Sequence, residues 1–413
     1  MVRLTHRVLD AASIREANVS RVYRAVSQIE GLTRADLALQ LGMSRSTASS
    51  LVQTLLDLNV LCEDGRATSK GGRRATKLRP SDDQWYILGT DLGATHIGTL
   101  LMTLNGEIRA TRFESFDVRG QPLGAIDAIE SQCHEILGGA GIPLKSVIGL
   151  GIAVPSPVSP VRPGFVSENI MPLWEGINIT TTLESRLGVK VILGNDANMG
   201  AFAESRWGIG QQASSLAYIK IGTGAGCGLI INDRIHHGAW GFAGELGHLL
   251  MTEHDAPGQS LNDLIGKHAL QARYQRLMLE MGRPVSTSQR DAPPALLAQQ
   301  GDPVACTVIA ESGRWLGRAV ADMIHLMNPE MVILGGSLAV AGDLLLRPVQ
   351  EEVGRECGWK ELQSTRISLG QLGERGIATG AAGVVLQAFE ANICEWIEST
   401  IGSATSVPRA GEG

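Results

Sequence analysis

Three short stretches carry side chains whose types and spacing suit the chemistry of a polar ligand. Leu193-Gly-Asn-Asp-Ala-Asn198 follows an apolar run, Val189–Leu193, that reads as a buried strand. Side chains just past the carboxyl end of a strand converge on ligands in open α/β sheets. There Asp196 is placed to take a proton from a sugar hydroxyl, and Asn195 offers both a donor and an acceptor. Gly222-Thr223-Gly224-Ala-Gly is a tight turn after a second strand, and its backbone N–H groups suit a phosphate. Glu245 and His248 close the stretch Gly241-Phe-Ala-Gly-Glu-Leu-Gly-His248, three residues apart and on one face of a helical turn. Singly each is unspecific, because glycine turns end many hairpins and Asn-Asp pairs often cap helices.

The elements that must hold these residues repeat. Ile87-Leu-Gly-Thr-Asp-Leu-Gly-Ala-Thr-His-Ile-Gly-Thr-Leu-Leu101 turns at Asn105-Gly106, and Ala217–Ile231 turns at Asn232-Asp233. Both read strand, glycine turn, strand, hairpin, which predicts an internal duplication. Leu270–Glu311 is helical but interrupted by Pro284, Pro293-Pro294 and Pro303, so connected surface helices are expected. Gly376–Glu398 reads as one long apolar helical segment, and residues 401–413, small and polar, as a disordered tail.

A chain of 413 residues with 44% hydrophobic content can bury a large core divided between two or three domains. Its six cysteines (Cys62, Cys133, Cys227, Cys306, Cys357, Cys394) are scattered without a Cys-x-x-Cys pair, the pattern of reduced thiols in a cytoplasm. Arg3, His6, Arg7 and Asp10 precede no long apolar run, so neither a signal peptide nor a membrane partner is expected. The net charge of −6 is unevenly spread. Residues 1–79 hold 13 of the 36 basic and only 7 of the 42 acidic residues, so a basic head is joined to an acidic body.

Within that head, Val19, Val22, Tyr23, Val26 and Ile29 recur at helical spacing over Ala17–Ile29. Thr33 then caps a helix with Leu37, Ala38 and Leu41 facing inward, Gly42-Met43 turns, and Ser44 caps a third helix buried through Ala48, Leu51, Val52, Leu55 and Leu58. This is the pattern of a helix-turn-helix. Its third helix leaves Ser44, Arg45, Ser46, Thr47 and Ser49 free to approach a major groove. A hairpin follows, with Val60–Glu63 and Ala75–Leu78 as strands. Between Arg66 and Arg79 it carries six basic residues, among them Lys70, Arg73 and Arg74, and no acidic one. Such a hairpin reads as a wing on the phosphates or the minor groove. Pro80-Ser-Asp-Asp83 is a short polar linker.

Taken in order, the Asn-Asp-x-Asn, Gly-Thr-Gly and Gly-Glu-x-Gly-His motifs resemble the ROK family of repressors, open reading frames and sugar kinases, from about Trp85 to Glu398. The resemblance implies an α/β chain: a winged helix-turn-helix (1–80), a linker (81–85), and a two-lobed actin-like, RNase H-like sugar-kinase fold. Its first lobe would be 86–196 plus 376–400 and its second 197–375. It implies a sugar contact at Asn195, Asp196, Glu245, His248 and Asn262, and phosphate loops at Asp91, Gly93 and Thr95, at Gly222, Thr223 and Gly224, and at Gly335 and Gly336. Val154-Pro-Ser-Pro-Val158 resembles the sugar-cleft loop, with Ser156 where the family has glycine. Two departures stand out. The family's three zinc cysteines are missing between Leu249 and Asn262, so no structural zinc is expected. Asn262 also aligns with a sugar-binding glutamate.

The expected function is a sugar-responsive regulator that binds operator DNA as a homodimer or higher oligomer, with a sugar or sugar phosphate as effector and no required cofactor. The rival is an ATP-dependent sugar kinase carrying a DNA-binding head, in which Asp196 is the catalytic base and magnesium and ATP are needed.

Overall fold

Asp10 caps the first described element of the computed structural model, which describes residues 10–66, 75–159, 171–251, 258–283, 286, 289–290, 292–360 and 362–406. Its carboxylate accepts from the Ser13 N–H at 2.7 Å and caps α1 (Ala11–Gln28), which begins six residues ahead of the apolar repeat at Ala17. Thr33 and Asp36 form a reciprocal capping box at the start of α2 (Arg34–Gln40). Gly42, at φ +66°, makes the turn that a residue with a Cβ would strain, and Ser44 caps α3 (Arg45–Asp57). Strands β1 (Leu61–Arg66) and β2 (Thr76–Pro80) pair antiparallel, with Leu61 opposite Pro80. The Leu78 N–H also donates to the Leu32 C=O, so β2 is held from both sides. Helices and a two-stranded hairpin thus stand in the order that the sequence predicts for this segment. The hairpin tip, with Lys70, Arg73 and Arg74, lies outside the described residues.

Among the described residues the body holds two five-stranded sheets of identical order. The first half of the body runs β3 (Tyr86–Leu92), β4 (His96–Thr103), β5 (Ile108–Ser115), α4 (Pro122–Ala140), β6 (Val147–Val154), α5 (Ile179–Leu187), β7 (Val191–Asn195) and α6 (Asp196–Trp207). Its sheet order is β5-β4-β3-β6-β7, an antiparallel meander extended by two parallel strands. The second half runs β8 (Ser215–Ile221), β9 (Ala225–Ile231), β10 (Arg234–Ile235), α7 (Leu261–Ile265), α8 (Lys267–Glu280), α9 (Pro294–Gln299), α10 (Pro303–Met327), β11 (Met331–Gly335), α11 (Asp343–Glu356) and β12 (Arg366–Leu369). Its order, β10-β9-β8-β11-β12, repeats the first, as the duplicated strand-turn-strand pattern predicted. Two helices close the described chain, α12 (Gly376–Ala391) and α13 (Ile393–Ser406).

Glycines let α6 and α12 lie against the sheets and each other at backbone distance. A Cβ on Gly151 of β6 would stand 1.9 Å from the Ala381 carbonyl oxygen, and one on Gly228 of β9 2.2 Å from that of Ala197. A Cβ on Gly380 would stand 1.8 Å from the Met199 carbonyl oxygen, so the two helices meet there.

Three expectations need correction. Helix α10 is a core element, burying Val308, Ile309, Leu316 and Val320. Pro303 sits in its first turn, where a missing N–H breaks no helical bond. Gly376–Glu398 is two helices, bent by 107° around Asn392. Helix α13 continues to Ser406, through part of the tail expected to be disordered.

The short polar linker is held against the head. Ser81 is buried and its N–H donates to the Val60 C=O, while the Trp85 indole N–H donates to the Leu58 C=O at 2.9 Å. Helix α1 packs on the two closing helices. Tyr23 meets Phe389 edge-on at 6.2 Å, the Ser20 hydroxyl donates to the Ala391 C=O at 3.0 Å, and the Cys394 N–H donates to Glu16 at 2.9 Å. Among the described residues no single helix is long and apolar enough to cross a membrane.

Candidate functional site

Asp196 is the first residue of α6, directly past the carboxyl end of β7, and is buried. Its Oδ2 accepts a charge-assisted hydrogen bond from Nζ of Lys220, which projects from β8. Burial opposes the charge on this lysine, but the carboxylates of Asp196 and Asp91 outweigh it and hold its pKa above the usual value. Lys220 was not singled out from sequence. The available signal was a lysine set between Tyr218-Ile219 and Ile221, where burial requires a partner.

Asp91, near the end of β3, is also buried. Its Oδ2 pairs with Nε2 of His96 at 3.1 Å, and its Oδ1 has no hydrogen-bond partner among the described residues. His96 is a second residue that sequence reasoning missed. It stacks on Phe113 at 5.2 Å and fills the first loop, since a Cβ on Gly93 would stand 2.2 Å from its ring. Thr95 lies at the exposed end of that loop.

The second loop is held differently. The Gly222 N–H donates to the Gly224 C=O, and Asn262, on α7, accepts the Ala225 N–H at 2.7 Å. The Asn262 carboxamide also lies where a Cβ on Gly224 or Gly247 would stand, at 3.0 and 2.4 Å. Asn262 therefore ties the Gly-Thr-Gly turn, with half-exposed Thr223, to the Gly-Glu-x-Gly-His turn. Gly335 ends β11 and Gly336 follows it. The Tyr218 hydroxyl occupies the space a Cβ on Gly335 would need, and Gly336 has φ +80°.

Asn195 is partly committed within the fold. Its Oδ1 caps α6 by accepting the Asn198 N–H at 3.1 Å, and its Nδ2 donates to the Ser156 C=O at 3.3 Å. Glu245 and His248 approach to 3.7 Å, with the histidine ring largely exposed. Burial raises the Glu245 pKa; His248 opposes this and Asp196 adds to it, so Glu245 and Asp196 feel each other's charge. Lys220 thus lies in the field of two carboxylates, Asp196 and Asp91, and Asp196 in turn in that of Glu245. Acceptors of this kind suit the hydroxyls of a polyol.

A groove of about 2000 Å³ begins beside Asn195 and Asn198 and passes His237 to reach Arg24 and Lys77 of the head. Asp91, Asp196, Glu245 and Lys220 are not among its lining, so this groove between head and body is separate from the acidic site. No cluster of three or more histidine, cysteine, aspartate or glutamate side chains able to hold a metal occurs among the described residues. Glu253, His254 and Asp255 lie outside them. With no cysteine between Leu249 and Asn262, the donor set does not fit the family's zinc.

On the head, Ser44, Arg45, Ser46, Thr47 and Ser49 are all exposed at the start of α3. Ser44 Oγ lies 2.8 Å from the hydroxyls of both Ser46 and Thr47 and accepts the Thr47 N–H at 3.1 Å. That tip carries short, mutually hydrogen-bonded hydroxyl groups beside one guanidinium.

The chain is similar to the xylose repressor of Caldicellulosiruptor bescii, with 25% identity over 90% of this chain and 96% of the relative. Among solved structures it matches a ROK family transcriptional regulator, a homolog of the E. coli MLC protein, with TM-score 0.76 and 23% identity over 93% of this chain and 99% of that one. It also matches a ROK family glucokinase from Streptomyces griseus in complex with glucose and AMPPNP, with TM-score 0.64 and 26% identity over 73% of this chain and 99% of that one. The family profile described as ROK spans residues 87–388, from β3 into α12 and across every loop of the cleft, so the chain belongs to the ROK family.

Proposed function

We propose that this protein is a sugar-responsive transcriptional repressor: α3 reads operator DNA, and a sugar in the cleft between the lobes changes how tightly it is held. The observation that carries this reading is the seating of the head. Helix α12 lies against α6, whose first turn bears Asp196, and also against α1 of the helix-turn-helix. A ligand that favours one lobe arrangement then biases the head, to the extent that it binds the two arrangements differently. A homodimer or higher oligomer, acting in the cytoplasm, would set two recognition helices about 34–36 Å apart or a multiple of that. No resident metal or nucleotide is required.

The test is a gel shift with duplexes selected from a randomised pool, with D-xylose and D-glucose as first effectors. Xylose comes first because a relative is named a xylose repressor. The intact chain should bind at low salt, one sugar should release it, and Arg45→Ala should weaken binding about tenfold or more. Failure to bind any duplex at low ionic strength would overturn the reading.

A further inference from the structure

The Gly-Thr-Gly turn, Asp91 and Asp196 retain the outline of a phosphoryl-transfer site, yet one side chain is out of keeping with that chemistry. A sugar kinase needs a carboxylate free to accept the attacking hydroxyl's proton, and a divalent cation to gather phosphate charge. Here Oδ2 of Asp196 is already engaged by the ammonium of Lys220, whose side chain keeps only 18% of its exposure. Asp91 contributes to the same field.

The duplication gives independent support. Asp91 and Lys220 lie at matching places, each one residue before the end of a seven-residue strand. Asp91 pairs with Gly98 and Lys220 with Gly226 across the antiparallel neighbour. The two halves of the fold thus present opposite charges from equivalent positions.

We propose that Lys220 is the residue that makes this cleft a binding site and not a phosphoryl-transfer site, its fixed ammonium standing in for a divalent cation and occupying the carboxylate a transfer reaction would use. The idea rests on the reading that the cleft receives a sugar. Lys220 acts through Asp196 as a positioning residue, holding that carboxylate as a fixed hydrogen-bond acceptor. The cluster keeps an excess of acidic groups over the single ammonium, so an uncharged sugar fits it better than a sugar phosphate does.

The experiment uses the full chain and Mn²⁺ as probe, titrated by electron paramagnetic resonance. Wild type should bind Mn²⁺ weakly. Lys220→Met should bind it on the order of tenfold more tightly, because two buried carboxylates lose their counter-charge. Lys220→Met combined with Asp91→Asn should return to the wild-type affinity, which a merely structural effect of the lysine would not produce. Should Lys220→Met fail to fold, Lys220→Gln, which keeps a donor for Asp196, carries the same comparison. Equal Mn²⁺ affinity in wild type and in the folded Lys220 variant overturns the proposal. So does sugar-dependent ADP release from MgATP by the wild-type chain that is lost in Asp196→Asn. DNA binding is scored on the same samples: an inert chain that binds no duplex defeats the repressor reading and leaves the role of Lys220 standing.

Discussion

The two halves of the body share a strand order but secure their glycine turns by different means. In the first, His96 from the adjoining strand folds back over Gly93 and hydrogen-bonds Asp91. In the second, the brace comes from far along the chain, with Asn262 of α7 accepting the Ala225 N–H. The charge two residues before each turn is reversed as well, Asp91 in one and Lys220 in the other. Duplication preserved the scaffold because a sheet's register tolerates no slip, while the turns between strands were free to change chemistry.

The largest effect should come from making the halves alike in charge. Lys220→Asp leaves Asp91 and Asp196 without their cation and should cost about 3–5 kcal/mol in urea unfolding. Adding Asp91→Lys should recover about 1–2 kcal/mol of that loss; strict additivity would mean the two positions share no field. Next comes the crossing of α6 and α12. Gly380→Ala should destabilise by about 1–3 kcal/mol. Gly138→Ala, in α4 with open space around it, should be neutral or stabilise by about 0.5–1 kcal/mol, read by the same unfolding curves.

Asn262→Ala should cost about 1–2 kcal/mol, since it strands the Ala225 N–H. His96→Ala should cost less, because the ring it removes is partly exposed. A larger loss at His96 than at Asn262 would reverse this view of the two braces. The smallest effect concerns pH. Burial raises the Glu245 carboxyl above its ordinary 4.5, so its contribution is fully present below pH 4.5 and is lost as pH rises through the folded-state value. Glu245→Gln should therefore flatten the decline in unfolding free energy from pH 4.5 upward. An unchanged slope would show that the carboxyl is not held in a low-dielectric setting.

Much of the architecture was legible because local signals agreed with one another. Thr33 and Ser44 mark helix starts, Gly42 marks the turn between them, and the paired glycine turns mark both sheets. What escaped was set by distant contacts. Pro303 looked like an interruption, yet at a first turn proline begins a helix, here 25 residues long. The bend at Asn392 carries no proline or glycine and follows from the packing of Ile393 and Trp396 against the first lobe. The cleft motifs were readable as types and order, but the engagement of Asp196 by a lysine 24 residues on, and of Asp91 by His96, depends on strand pairing that spacing alone does not reveal.

The seam formed by Tyr23, Ser20, Ser81 and Trp85 has a mechanical consequence. A reading module hung on a slack tether would average out whatever its carrier does. One riveted at several points would act as a lever arm: any rotation of the body beneath it would be passed on to the tip of α3 and grow with distance from the pivot.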